Sequence, residues 1–325
     1  MTDGDRGSAS GSARRVIVQA EDGQRIDNFL LRELKGLPRS RIYRLLRKGE
    51  VRVNGRRVKP THRLAAGDEV RIPPVRGLGP ERSAADAVIG AGVLDAVARA
   101  VIHEDERLLV LNKPAGLPVH GGSGLAYGAI EALRRLRPGL ELGLAHRLDR
   151  DTSGCLLVAK SRPMLLELHR ALREQTVGKR YRLIVFGTWR RRTRTVRLPL
   201  ARYLTPSGER RVRVTADGKP SRTDFAVLEV GSGATLLEAR LHTGRTHQIR
   251  VHASATGHPV VGDQKYSTPE QQRAAEALGI HRLCLHAEEL VLELDGRRRR
   301  FEAPLPADFV AAWQRFAVTP PPAPP

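Results

Sequence analysis

The sequence predicts two folded units of mixed α+β class. One is a small basic unit over residues 16–76; the other, over 97–316, rests on a largely antiparallel sheet. Three observations lead there. Helical and strand-like spacings follow one another irregularly rather than in a regular βαβ repeat. A stretch rich in Pro, Gly and Ala over 73–96, including Pro73-Pro74 and Gly77-Leu78-Gly79-Pro80, reads as a tether, with the linker proper at 77–96. Basic residues crowd the first unit. Outside the two units, residues 1–15 form a polar Ser/Gly-rich tail and 317–325 a Pro-rich one, both expected to be disordered.

In the first unit, Ile26, Phe29, Leu30 and Leu34 recur at helical spacing. A second helix is expected between an N-cap at Ser40 and a terminal Gly49, with Ile42, Leu45 and Leu46 as its apolar stripe. Arg41, Arg44 and Lys48 fall on another face, flanked by Arg39 and Arg47. Asn54-Gly55 between alternating residues signals a hairpin that carries Arg52, Arg56 and Arg57. A last strand covers 69–72. Residues 25–59 hold twelve basic and three acidic side chains. A single-sign patch on a rigid helix and hairpin suits a nucleic-acid backbone, whereas a merely solvated face mixes signs. Only Phe29 and Tyr43 interleave, so phosphate and shape contact is expected rather than base stacking.

In the second unit, Leu108–Leu111 reads as a strand entering Asn112-Lys113-Pro114-Ala115-Gly116. Ile130, Leu133 and Leu136 mark a helix ended by Pro138-Gly139. Met164, Leu165, Leu168 and Leu172 mark another, started by Ser161. Strands are expected at 181–186, 236–241 and 283–294.

Composition narrows the function classes. Lys and Arg number 56 against 35 Asp and Glu, a formal charge of +21. That favours a polyanionic partner, although 48 of those 56 are Arg, as a G+C-rich codon bias would also give. Two cysteines, Cys155 and Cys284, cannot build a disulfide framework or a CxxC metal pattern. Neither a secretory signal nor an apolar run near 20 residues is present, so a cytoplasmic protein without membrane contact is expected. The chain carries neither a dinucleotide fingerprint nor a phosphate-binding loop, so no cofactor is expected.

Nine residues carry the densest chemistry: His146-Arg147-Leu148-Asp149-Arg150-Asp151-Thr152-Ser153-Gly154. They set Asp149 among cations in a polar turn ahead of a buried strand, Cys155–Ala159. Opposite charge nearby keeps a carboxylate ionised, which makes Asp149 a candidate nucleophile or base. The competing reading is that Asp149 and Asp151 only cap a turn. A second motif, His242 to His252, reads as a Gly turn, a Thr cap and a short helix. Its histidines, five apart, do not stack on one helical face, so no metal site is expected. Arg245, His247 and Arg250 are available there for phosphate, base or carboxylate contact.

The segments RIDNFL, SRIYRLLRKGEVRVNG and GDEVRI resemble the S4 RNA-binding module. NKPAGLPVHGGSG, HRLDRDTSG, GKRYRLIVFG, HTGRTHQIRVH and GHPVVGDQKY resemble the RluA-type pseudouridine synthases, from about residue 16 to residue 306. The resemblance implies isomerisation of specific uridines to pseudouridine in 23S ribosomal RNA, without cofactor or metal. By the same resemblance Asp149 is the catalytic residue. Tyr181 packs against the target base and assists proton loss from C5. Arg250 partners the aspartate, with Ile249 beside it in the substrate-binding set, and Arg147 fills the space left by the flipped base. The expected partner is large-subunit ribosomal RNA, met as an assembly intermediate by a monomeric enzyme.

The carboxylate can attack C1′, attack C6 or remove the 2′ proton; all three routes need an ionised aspartate in a dry pocket. One carboxylate suffices because no water is added, whereas a glycoside hydrolase needs two. Three rivals remain. One is the same chemistry on another RNA. Another is an RNA-docking assembly factor with an inert second unit. The last is a uridine C5 methyltransferase, which would need a cofactor and a nucleophilic cysteine. Cys155, inside an apolar pattern, reads as core instead.

Overall fold

The computed structural model describes residues 13–18, 23–34, 37, 39–74, 89–121, 127–206 and 208–317. Most of the expected tether and of both tails lies outside the described residues. The chain divides into two compact units, Met1–Ala87 and Val88–Pro325.

The first unit contains β1 (Arg14–Ile17), α1 (Ile26–Glu33), α2 (Arg39–Lys48), β2 (Arg52–Val53) and β3 (Glu69–Ile72). Its strands form an antiparallel sheet in the order β1-β3-β2. Ile26, Phe29, Leu30, Ile42, Leu46, Val51 and Val70 fill one small core, as the apolar spacing requires. Gly49 follows α2 with φ 71°, and its N–H donates to the Leu46 carbonyl, a left-handed stop that glycine adopts without cost.

The second unit contains α3 (Ala91–Arg99), β4 (Val101–Glu104), β5 (Leu108–Lys113), α4 (Ala129–Leu136), β6 (Gly143–Leu144), β7 (Ser153–Ala159), α5 (Arg162–Arg173), β8 (Gly178–Phe186), β9 (Thr193–Val196), β10 (Leu200–Leu204), β11 (Arg210–Val214), β12 (Thr223–Val230), β13 (Ala234–Leu241), α6 (Gln248–Ala255), α7 (Pro269–Ala277), β14 (Leu285–Leu294), β15 (Arg297–Glu302) and α8 (Ala307–Gln314). Its main sheet runs β4-β5-β7-β14-β8-β13-β12-β9, with β15 on β14 and β6 on β7; β10 and β11 form a separate hairpin. Every pair among the described strands is antiparallel except β7 with β14. Along β7, Leu156 and Val158 face one core while Cys155, Leu157 and Ala159 face the other. The middle of the sheet is thus buried on both faces, which is why this segment reads as continuously apolar. Ser161 caps α5 by accepting from the Met164 N–H, as expected.

The parallel junction needs a glycine. Gly154 has φ 110°, and a Cβ there would overlap the Ala287 carbonyl of β14. Gly154→Ala is expected to cost about 3–5 kcal/mol, a sum of backbone strain and steric overlap. Urea unfolding measures it; a variant as stable as the parent would mean that β7 and β14 can separate freely.

Some expectations are corrected. Ser40 is not the N-cap: it lies inside α2, which begins at Arg39. Side-chain signals place a helix end only within a residue or two. The Asn54-Gly55 turn forms, with φ 49° and 75° and reciprocal Val53–Arg56 backbone bonds of 3.0 and 2.9 Å. Its second arm does not extend; β2 pairs with β3 instead. Pro60, which has no N–H, follows too closely for a long return strand. The tether is shorter than 77–96, because α3 occupies 91–99 and buries Val97 in the main core. Its alanines are strong helix formers that resemble linker composition. β1 likewise starts at Arg14, inside the expected tail.

Candidate active site

Residues 145–152 join β6 to β7, and this loop is held from several sides. Leu148 is buried in the main core, and the Thr152 N–H donates to the Asp149 carbonyl at 3.2 Å. Lys113 lies fully buried at the end of β5, its Nζ donating to the carbonyls of Pro114, Leu117 and Arg150 at 2.8 Å each. Burial pulls this ammonium down to about 7, opposed by Asp151 and Asp149. Three carbonyl acceptors match three ammonium protons, so the cage favours the charged form against the pull of burial. On the other side Ser153 Oγ accepts from Arg282 at 2.6 Å and lies 2.9 Å from His286 Nδ1. His286 Nε2 meets the Ala303 carbonyl at 3.0 Å. His146 Nε2 accepts the Leu157 N–H at 3.1 Å.

The His146 contact needs an unprotonated Nε2. Burial lowers both His146 and His286 to about 4. Their unfolded counterparts bind a proton near pH 6.5, which the native forms refuse. Stability is therefore complete above pH 6.5 and declines as pH falls toward 4, by on the order of a few kcal/mol. Thermal melts across this window test it. His286→Gln, which does not titrate, is expected to flatten the profile; an unchanged slope would remove His286 from the account.

Asp149 is 24% exposed at its side chain. Its Oδ2 lies 3.3 Å from Arg250 Nη1, and its Oδ1 lies 3.8 Å from His247 Nε2. Arg250, on the first turn of α6, is only 4% exposed, and its principal partner is Asp263, which is wholly buried. Nε and Nη2 of Arg250 donate to the two Asp263 oxygens at 2.7 and 2.8 Å. Burial opposes its charge, but Asp263 and then Asp149 hold the guanidinium above its ordinary value. One guanidinium thus serves two carboxylates. Asp263 takes the short paired contact, and Asp149 takes a single longer one.

Asp149, Arg147 and Tyr181 line one cleft of about 880 Å³, with Lys179, Arg202 and Arg245 around it. Tyr181, on β8, is raised by burial and next by Asp149, so it remains a neutral phenol. Arg147 is exposed in the cleft. Ile249 packs into the main core instead of lining the cleft. Thr246 does not cap α6: His247 occupies that position, and Thr246 Oγ1 instead accepts from Arg202 at 2.5 Å. His242, His247 and His252 engage Asp224, Tyr266 and Thr223 respectively, at 2.6, 2.6 and 3.0 Å. Cys155 is fully buried, its thiol pushed up to about 12 by burial, so it is no nucleophile.

Sequence reasoning missed Asp263, Arg202 and the parts played by Lys113 and Tyr266. Asp263 and Tyr266 lie in the GHPVVGDQKY segment, where Gly262 (φ 76°) was the signal of a tight approach. In the first unit, Arg44, Arg47, Lys48, Arg52, Arg56 and Arg57 are exposed and Arg41 is half-buried; the Arg39 side chain lies outside the described residues.

The RNA pseudouridylate synthase family pattern matches residues 107–255, and the S4 domain pattern matches 24–70. The chain belongs to the RNA pseudouridine synthases, with an S4 domain ahead of the synthase domain. Ribosomal large subunit pseudouridine synthase C of Yersinia pestis is 51% identical over 293 residues, covering 89% of this chain and 91% of that protein. Its namesake in Escherichia coli (strain K12) is 50% identical over 311 residues, covering 94% and 97%. Among solved structures, Human RNA Pseudouridylate Synthase Domain Containing 4 is 27% identical with a TM-score of 0.58, covering 69% of this chain and 95% of that one. The protein is a pseudouridine synthase.

Proposed function

We propose that this enzyme converts specific uridines of 23S ribosomal RNA to pseudouridine, and that Asp149 is the residue on which the chemistry depends. The observation that carries this reading is the Asp149 carboxylate, bound at 3.3 Å by a buried arginine in a cleft shared with Tyr181. The names of the large-subunit relatives support the choice of RNA.

The reaction breaks the N1–C1′ bond, turns the base and joins C5 to C1′; the C5 proton leaves and N1 regains one. No atom is added, so water must be kept out, since water would convert isomerisation into base loss. Tyr181, a neutral phenol, packs against the turned base and offers an O–H rather than a standing phenolate. Arg147 fills the vacated stack. Eversion costs a few kcal/mol, which phosphate contacts by the first unit offset. A base packed within a finished subunit cannot evert, so the reading favours an assembly intermediate as substrate.

Purified enzyme and unmodified 23S transcript test the reading. Carbodiimide treatment and reverse transcription are expected to give new stops at discrete uridines. Stops confined to transfer RNA or to another ribosomal RNA would replace the substrate and keep the chemistry. The basic face of the S4 unit has its own test. Arg44→Gln, Arg47→Gln and Arg56→Gln together are expected to reduce the log-log salt slope of RNA binding by about 2–3. An unchanged slope would mark these arginines as a solvated surface.

A further inference from the structure

His247 lies in the second motif and Tyr266 in the GHPVVGDQKY segment, yet the isomerisation as described uses neither. His247 precedes α6 with φ 53° and ψ 20°, a left-handed conformation that a residue with a Cβ rarely adopts. Strain of this kind is kept where the surroundings demand it. Here it accompanies a ring that points at two partners. Nε2 faces Asp149 Oδ1 at 3.8 Å, and Nδ1 meets the Tyr266 hydroxyl at 2.6 Å. The Tyr266 oxygen accepts the Val212 N–H at 3.0 Å, and its ring lies 5.1 Å from the Arg250 guanidinium. One tyrosine therefore touches both residues that face Asp149.

Donor counting favours one tautomer. A phenol has one proton to give. Among the described residues, His247 Nδ1 is the acceptor within its reach. Nδ1 accepting leaves the imidazole proton on Nε2, the nitrogen that faces Asp149. Burial keeps the ring neutral; Asp149 opposes this, and Arg250 and Lys265 reinforce it.

We propose that His247 is a positioning residue for the isomerisation: its Nε2–H is the second donor to the Asp149 carboxylate, and Tyr266 holds it in that tautomer. The proposal rests on Asp149 being the reacting group. Arg250 addresses one carboxylate oxygen and His247 the other, so together they set the plane of the carboxylate in the cleft. A neutral donor orients the group without drawing off its charge, which a second cation would do. The 3.8 Å separation is longer than a hydrogen bond. Catalytic contacts commonly stand open before substrate arrives and tighten around it.

Ring-nitrogen NMR of the full-length enzyme reads the tautomer; His247 is expected to carry its proton on Nε2. Single-turnover isomerisation with enzyme in excess is expected to slow roughly 10- to 100-fold in His247→Ala, the loss of one hydrogen bond to a charged group, with RNA affinity unchanged. His247→Gln, whose amide N–H replaces Nε2–H, is expected to recover most of that rate, and Tyr266→Phe to slow the reaction and mix the tautomers. A proton on Nδ1 in the parent, or a Gln variant no faster than the Ala variant, overturns the proposal. Asp149→Asn measured alongside separates the two readings. If it is active, the underlying site is wrong; if it is inactive beside a fully active His247→Ala, only the role of His247 falls.

Discussion

Asp149→Asn is expected to leave no measurable pseudouridine while RNA binding stays close to that of the parent. The amide has nearly the same size and still meets Arg250, but it has no charge with which to attack carbon or take a proton. Losing such a group costs about 10⁴-fold or more in rate. The fold should survive, because Arg250 remains neutralised by Asp263 through contacts of 2.7 and 2.8 Å. Nucleoside chromatography after RNA digestion reads the product, and filter binding reads affinity. Product above background would contradict the role given to Asp149.

Arg250→Ala is expected to act on stability as well as on rate. Asp263 has no exposed side-chain surface and would lose its cation. Removing one partner of a buried pair costs about 3–5 kcal/mol, mostly as the penalty on the charge left behind. The pairing also gives a sharper expectation. Asp263→Ala in the Arg250→Ala background should cost far less than Asp263→Ala alone, because the two residues act as a unit. Chemical denaturation of the four proteins closes this cycle. Additive effects, or an active and equally stable Arg250→Ala, would remove the pair from the account.

The contrast between these two residues explains what the sequence makes legible. The Asp149 loop is contiguous and precedes a seven-residue strand buried throughout, so its position follows from local pattern. The pairing of Arg250 with Asp149 spans 101 residues, and only the family resemblance pointed to it. Asp263 was missed because nothing in a loop sequence tells which buried carboxylate closes on which arginine. The arginine-rich strands β11 and β15 were missed for a different reason: RRRRFE has no apolar alternation, and RRVRV alternates over two valines only, too short a run to mark a half-buried strand. Their order comes from pairing with β10 and β14. The helix α3 was hidden by Ala and Gly, and the left-handed turn at His247 by a residue type that seldom signals one. What periodicity encodes was readable, and what distant partners impose was not.

The most direct measurement follows the C5 hydrogen. RNA labelled with tritium at uridine C5 is mixed with excess enzyme for a single turnover. The parent enzyme is expected to release one tritium to water for each uridine it isomerises, and Asp149→Asn to bind the RNA and release none. Release by Asp149→Asn at the parent's stoichiometry and rate would contradict the assignment of the chemistry to this carboxylate.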